Sequence, residues 1–260
     1  FEISRINKGL NFVKENIQDF PQPKIYKGIT DDERINVIFE EDLDLHILSS
    51  LLFESSRATG LSYQQCMDAV QKMTLDQKEK LMEVWLWDRG KFDRMPRPLQ
   101  HWTIMIEVLA DFGAYRDFQR HRATKQVWQW VSCIHGYDYP EYIDLPWLEE
   151  FKKMYDEVMT DITVLWQKII KDDPYMVEYI CALWHLVRTT YEMDPWQIAY
   201  IVELRTTPQW HQSYRRLFLK VYEIISKKAP IFAKYIRAWI NQEASRKDQE
   251  EKAEQKRNAL

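Results

Sequence analysis

The sequence predicts a helix-rich mixed α/β (α+β) fold, and three observations carry that expectation. Residues 147–171 repeat apolar side chains at spacings of three and four: Leu148, Phe151, Met154, Tyr155, Val158, Ile162, Leu165, Trp166 and Ile169. That is the period of an amphipathic helix. Residues 100–108 hold Trp102, Thr103, Ile104, Ile106 and Val108, a selection that favours a strand. Several other apolar segments open on Ser62, Thr74 or Pro195, which are good helix starts.

In chain order, residues 1–40 read as an N-terminal extension, with Pro21 and Pro23 marking an extended connector. A helix is expected over 41–56, carrying Leu43, His46, Ile47, Leu51 and Phe53. A second starts near Ser62, and a third runs over 75–87 behind Thr74. A proline-punctuated loop, Arg94-Met95-Pro96-Arg97-Pro98, leads to the strand. Gly113 then breaks the pattern, and 114–122 looks helical. Residues 135–146 form a loop. After the long helix, Pro174 separates a further helix over 175–191, and Pro195 opens another through Leu204. The last long helix covers 209–226, with a continuation from Pro230 to Ile240. Residues 41–240 are read as one domain. Residues 241–260 are almost wholly charged and polar, a solvated helix or frayed tail.

Composition narrows the function classes. Six glycines in 260 residues, with no G-x-G-x-x-G and no G-K-[ST], argue against dinucleotide-fold and P-loop sites. The net charge of -4 gives no support to nucleic-acid binding. No apolar run is long enough for a membrane helix. Cys66, Cys133 and Cys181 are odd in number and far apart, and fit no disulfide framework or C-x-x-C zinc site. A reducing cytoplasm is the simplest compartment. The chain opens at Phe1 rather than Met, as a piece of a longer polypeptide would.

Three clusters carry chemistry. Arg120-His121-Arg122 follows Phe112, Tyr115 and Phe118, so three cationic groups sit side by side behind an anchored apolar segment. Such a set needs an anionic or polar partner; the plain alternative is a solvated helix end. Glu203-Leu204-Arg205-Thr206-Thr207-Pro208-Gln209, with His211 beyond it, breaks one helix and starts the next. Hydroxyls and open N–H groups there suit a phosphate or carboxylate, and Arg205 can add a bidentate contact. Arg94 and Arg97 stand in a stiff loop before His101, lining a pocket or simply the surface. His46 and His185 read as hydrogen-bonded core residues. Trp128, Trp130 and Trp147 read as packing, with stacking on a flat cofactor ring as the alternative. No His, Asp or Glu spacing matches a metal site.

These segments, in this order, resemble the flavin-dependent thymidylate synthases. That family carries an R-H-R triplet followed by seven residues and Ser, a P-F-E-H segment upstream, and L-R ahead of a long helix. Here the counterparts are Arg120-His121-Arg122, Pro98-Leu99-Gln100-His101 and Leu204-Arg205. The resemblance spans about residues 95–235. It implies a small central sheet flanked by long helices and a homo-oligomer, a tetramer or possibly a dimer. It implies FAD as cofactor, dUMP or a related pyrimidine nucleotide as substrate, and NADPH and methylenetetrahydrofolate as co-substrates. Arg120 and Arg205 would serve catalysis and, with Trp130, line the nucleotide site; His121, Arg122, His101, Gln209 and His211 would lie toward the flavin. The chain departs from the pattern at Trp128, Trp130 and Ser132, where the family has an acid, Ser and Arg. Gln100 replaces the Glu of P-F-E-H, and Glu178 stands where an arginine is expected. Two function classes follow: a divergent flavoenzyme of this type, or a non-catalytic relative that binds a ligand or a partner.

Overall fold

The β-rich run does build a strand, shifted a few residues onward from the expected position. The computed structural model describes residues 8–9, 11–12, 15, 30–38, 42–90, 93–140, 142–173 and 175–240. In it β2 covers Ile104–Asp111, preceded by a 3-10 turn over Arg97–Gln100. Three further strands join it: β1 Ile35–Ile38, β3 Lys125–Trp128 and β4 Leu186–Met193. Among the described residues they form one antiparallel sheet in the order β1-β2-β4-β3. The fold is therefore mixed α and β, with a small sheet among helices, as expected. The sheet also takes its edge strand β1 from the segment read as an N-terminal extension.

Nine described helical segments surround it. They are α1 Asp31–Arg34, α2 Leu43–Ser55, α3 Tyr63–Lys72, α4 Leu75–Leu86, α5 Phe112–Phe118, α6 Glu149–Asp172, α7 Pro195–Arg205, α8 Gln212–Lys228 and α9 Pro230–Ala233. The predicted caps Ser62 and Thr74 work as such, and Asp42 and Asp194 do the same: each side chain accepts an N–H from the first turn of its helix, α3, α4, α2 and α7 respectively. Register places Ile104, Ile106 and Val108 opposite Met193, Tyr191 and Thr189. Period 2 sends these β2 side chains to one face. There they pack with Ile35, Val37 and apolar residues of α2, α7 and α8 in the main core. Each large apolar side chain buried there contributes roughly 1.5–3 kcal/mol. Asp44 of α2 accepts the backbone N–H groups of Ile231 and Phe232, both at 2.9 Å, and pins α9 to the core.

Three expectations need correction. The helix expected over 175–191 is a 3-10 turn, Met176–Ile180, followed by strand β4. Val187, Thr189 and Thr190 stiffen this stretch at χ1, and its burial alternates along the strand; the partner strands β2 and β3 select that extended form. The helix expected over 114–122 stops at Phe118, so the Arg120-His121-Arg122 triplet lies in the turn beyond it. Gly113, the second residue of α5, stands next to the strand-to-helix switch as expected, and a Cβ there would sit 3.0 Å from Oδ1 of Asp111, the cap of α5. The continuation from Pro230 lasts one turn, α9. The tail over 241–260 lies outside the described residues.

The long helix α6 is present, but its apolar stripe is only partly covered. Met159 and Trp166 are buried, whereas Phe151, Met154, Val158 and Leu165 are exposed. Periodicity dictates a helix with an apolar face; it does not say what covers that face. Trp128 and Trp147 are likewise exposed, not packed inside. Among the described residues no helix is long and apolar enough to cross a membrane.

Candidate functional site: an arginine held without a carboxylate

The aromatic residues before the triplet anchor it. Phe118, at the end of α5, stacks on Tyr191 of β4 at 3.7 Å and on Phe218 of α8 at 4.9 Å between ring centroids. The chain then turns, and Thr124 ties the turn by donating its hydroxyl to the His121 carbonyl at 2.7 Å. Gln197 of α7 donates its side-chain amide to the Ala123 carbonyl at 2.7 Å. The turn is thus tied through Ala123 to the first turn of α7, while His121 reaches Arg205, the last residue of that helix.

Arg205 is only 7% exposed, yet it faces no carboxylate among the described residues. Its Nε donates to Nε2 of His121 at 3.0 Å. Its guanidinium lies 4.0 Å from the ring centroid of Trp210 and 5.0 Å from that of Tyr214. Ring faces attract a cation, and a desolvated site strengthens that attraction. His121 must be neutral to accept this bond. Burial first, then the positive charge of Arg205, hold its imidazolium down to a pKa of about 4. Its Nε2 is therefore the acceptor, and Nδ1 carries the proton. The arrangement orients a full positive charge without neutralising it. Among the described residues, the remaining N–H groups of Arg205 have no protein acceptor.

Two more groups complete this corner. The Tyr214 hydroxyl is buried without a hydrogen-bond partner among the described residues. Burial raises its pKa, so it stays a donor at neutral pH, and the charges of Arg205, Asp117 and Arg120 all act on it. Arg120 is exposed and lies 3.5 Å from Asp117.

The structure thus joins three of the sequence-predicted residues: Arg205 and His121 directly, and Arg120 through Tyr214 and Asp117. It leaves others apart. Arg122 and Gln209 are exposed. His211 is exposed and paired with the Ser213 hydroxyl at 2.9 Å. His101 is exposed, with its ring 6.5 Å from Tyr63. Trp130 lies beyond the far end of β3, where its ring packs 5.4 Å from Tyr175; among the described residues no ring contact or hydrogen bond links it to Arg205. The Thr206 and Thr207 hydroxyls, expected to be open to a phosphate, donate instead to the Val202 and Leu204 carbonyls at 2.7 and 2.9 Å. Local back-bonding of this kind competes with any ligand.

Sequence reasoning assigned no role to Trp210 or Tyr214. It also missed a second arginine site. Arg34 binds both oxygens of buried Asp138, at 2.9 and 3.1 Å, and Arg216 reaches the same carboxylate at 3.3 Å. Residues 34 and 138 are 104 positions apart, so no local pattern could have paired them. Among the described residues, no group of three His, Cys, Asp or Glu side chains is arranged to hold a metal ion.

No protein-family model matches the chain. It is 33% identical over 140 residues to a UPF0159 protein of Chlamydia pneumoniae, covering 54% of this chain and 26% of the relative. It is 24% identical over 235 residues to a UPF0159 protein of Chlamydia muridarum, covering 86% of this chain and 42% of the relative. A UPF0159 protein of Thermoplasma acidophilum is 28% identical over 172 residues, or 65% of this chain and 34% of the relative. The chain therefore spans about a quarter to two-fifths of the length of these curated relatives. Among solved structures it is similar to the UMP/dUMP methylase PolB of Streptomyces cacaoi. The form bound with 5-Br UMP superposes with a TM-score of 0.58 at 11% identity, over 84% of this chain and 99% of that one. The form bound with 5-Br dUMP gives 0.56 at 9% identity, over 77% and 93%. At such identities the likeness is one of fold.

Proposed function

We propose that this chain is a pyrimidine-nucleotide-binding unit of the flavin-dependent thymidylate synthase type. One observation carries the reading: Arg205 is buried and oriented by a neutral imidazole and two rings, with no carboxylate among the described residues to cancel its charge. A guanidinium held this way suits an anion supplied from outside, and a pyrimidine nucleotide brings a phosphate and a ring that can carry negative charge. The likeness in fold to a UMP/dUMP methylase supports that choice of ligand.

FAD belongs to the same proposal. His121 is engaged with Arg205, so it is not a flavin ligand in this reading. Arg122, Gln209 and His211 are exposed donors, a set whose chemistry fits the cofactor's diphosphate. When bound, FAD would supply the hydride for reduction of a one-carbon unit. The exposed apolar stripe of α6 supports association through that helix, so that a second chain would complete the site.

A second reading, binding without methylation, has its own support. Trp130 stands where the family's motif has Ser, and it lies away from Arg205. The hydroxyl and charged groups expected in that loop are absent. Two titrations test the pair of readings on native protein. Calorimetry with dUMP and UMP is expected to give saturable binding; no heat at millimolar nucleotide overturns both. The visible spectrum during FAD addition is expected to develop a protein-bound flavin band. Nucleotide binding without that band leaves only the second reading.

A further inference from the structure

A separate cluster lies on the other side of the sheet end, where the segment after β3 meets the turn before β4. Cys133 Sγ is 3.9 Å from Cys181 Sγ and 3.3 Å from Nε2 of His185. The Ala182 backbone N–H donates to Nδ1 of His185 at 2.9 Å. That bond is shorter than the 3.3 Å from the same nitrogen to the Ala182 carbonyl oxygen, which favours Nδ1 as the acceptor and so the ring proton on Nε2, toward the Cys133 sulfur. Cys133 and His185 are buried, while Cys181 is partly open to solvent. The function proposed above uses none of the three.

We propose that Cys133 and Cys181 form a peroxide-reactive dithiol, with Cys133 as the attacking sulfur and Cys181 as the resolving one. The geometry supplies what each step needs. The Nε2–H of His185 stabilises a thiolate on Cys133, and a second thiol waits one sulfur diameter away. The Cys181 thiol, with burial working against it and His185 adding to it, lowers the Cys133 pKa; the same contact raises that of Cys181. The Cys133 thiolate attacks one oxygen of hydrogen peroxide. The O–O bond breaks, the sulfur becomes a sulfenic acid, and the other oxygen leaves as water after taking up a proton. The Cys181 sulfur then attacks the Cys133 sulfur, the S–O bond breaks, and a second water leaves with the Cys181 proton. Two thiols are oxidised to one disulfide and one peroxide is reduced to two waters. The sulfurs need close by only about 2 Å to reach bonding distance. The product would tie the segment that follows Trp130 to the turn before β4.

The test uses the intact, chelator-treated protein and hydrogen peroxide as the probe. Free thiols are alkylated at time points and peptides are mapped by mass spectrometry. Cys66, fully buried and with its pKa raised by burial, is the internal control. A Cys133–Cys181 linked peptide is expected, forming about tenfold or more faster than any oxidation at Cys66. In Cys181→Ser, Cys133 is expected to accumulate as a sulfenic acid that dimedone traps. Equal rates at Cys66 and Cys133, or oxidation of Cys133 without the linked peptide in the unmodified protein, overturns the proposal. The wild-type measurement decides even where the variant fails to fold.

Discussion

Two buried arginines of this molecule are held in opposite ways. Arg34 lies in a clamp: Asp138 takes it at both oxygens and takes Arg216 as well. Arg205 lies in a cradle: a neutral imidazole and two aromatic rings orient it, and no carboxylate among the described residues answers its charge. The clamp is electrostatically closed. It joins α1, the segment after β3 and α8, and its role is structural. The cradle is closed sterically but open electrostatically, which is the condition for receiving an anion. Burial alone does not distinguish a structural arginine from a binding one; the nature of its partner does.

The largest expected effect is on the clamp. Asp138→Ala takes this carboxylate from the buried guanidinium of Arg34 and from the half-exposed Arg216, and breaking a buried pair costs about 3–5 kcal/mol. Urea unfolding at neutral pH measures it. A loss well below 1 kcal/mol would mean the clamp is not structural, and the comparison would fail. Next comes the cradle. Arg205→Ala is expected to weaken dUMP binding by about tenfold to a hundredfold, the roughly 1.5–3 kcal/mol of a hydrogen bond to a charged group. Its unfolding free energy should change less than that of Asp138→Ala. Unchanged affinity would remove Arg205 from the site.

Acid separates the two arginines further. The folded-state pKa of His121, about 4, lies below the ordinary histidine value of 6.5. The unfolded chain therefore binds the proton more readily, and stability contributed by neutral His121 is complete above pH 6.5 and lost as pH falls toward 4. His135, also lowered to about 4 by burial and then by Arg188, adds a slope of the same sign. The buried carboxyls of Asp44 and Asp111, whose pKa values are raised by burial, oppose it. His121→Gln is expected to flatten the stability profile between pH 6.5 and 4 relative to wild type. Parallel profiles would show that the imidazole is not held neutral by its contact with Arg205. The smallest expected effect is at Arg120, an exposed side chain near Asp117. Arg120→Ala should leave unfolding unchanged while weakening dUMP binding less than Arg205→Ala does. A loss as large as that of Arg205→Ala would move the centre of the site out to the triplet.

Much of this was legible along the chain. Caps, prolines and the 3.6 period place α2, α3, α4, α6, α7 and α8 to within a few residues, because a helix satisfies its backbone locally and advertises its ends. Arg120, His121 and Arg205 stood out because side-by-side cations near apolar anchors demand a partner. Strand β4 did not stand out, because a short apolar stretch takes its form from the strands beside it. Nor did Tyr214 and Trp210 as the walls of the cradle, since an aromatic side chain gives no local sign of what it faces.

The sequence by itself determined the helices, their caps, the β-rich identity of the central strand and the concentration of cationic groups at two places. Those properties depend on neighbours within about four residues. Only the tertiary structure decided which cations are neutralised and which are not. Asp138 meets Arg34 across 104 residues, and His121 meets Arg205 across 84. Charge acts through space and burial strengthens it, so the partner that folding brings near sets the role of each arginine.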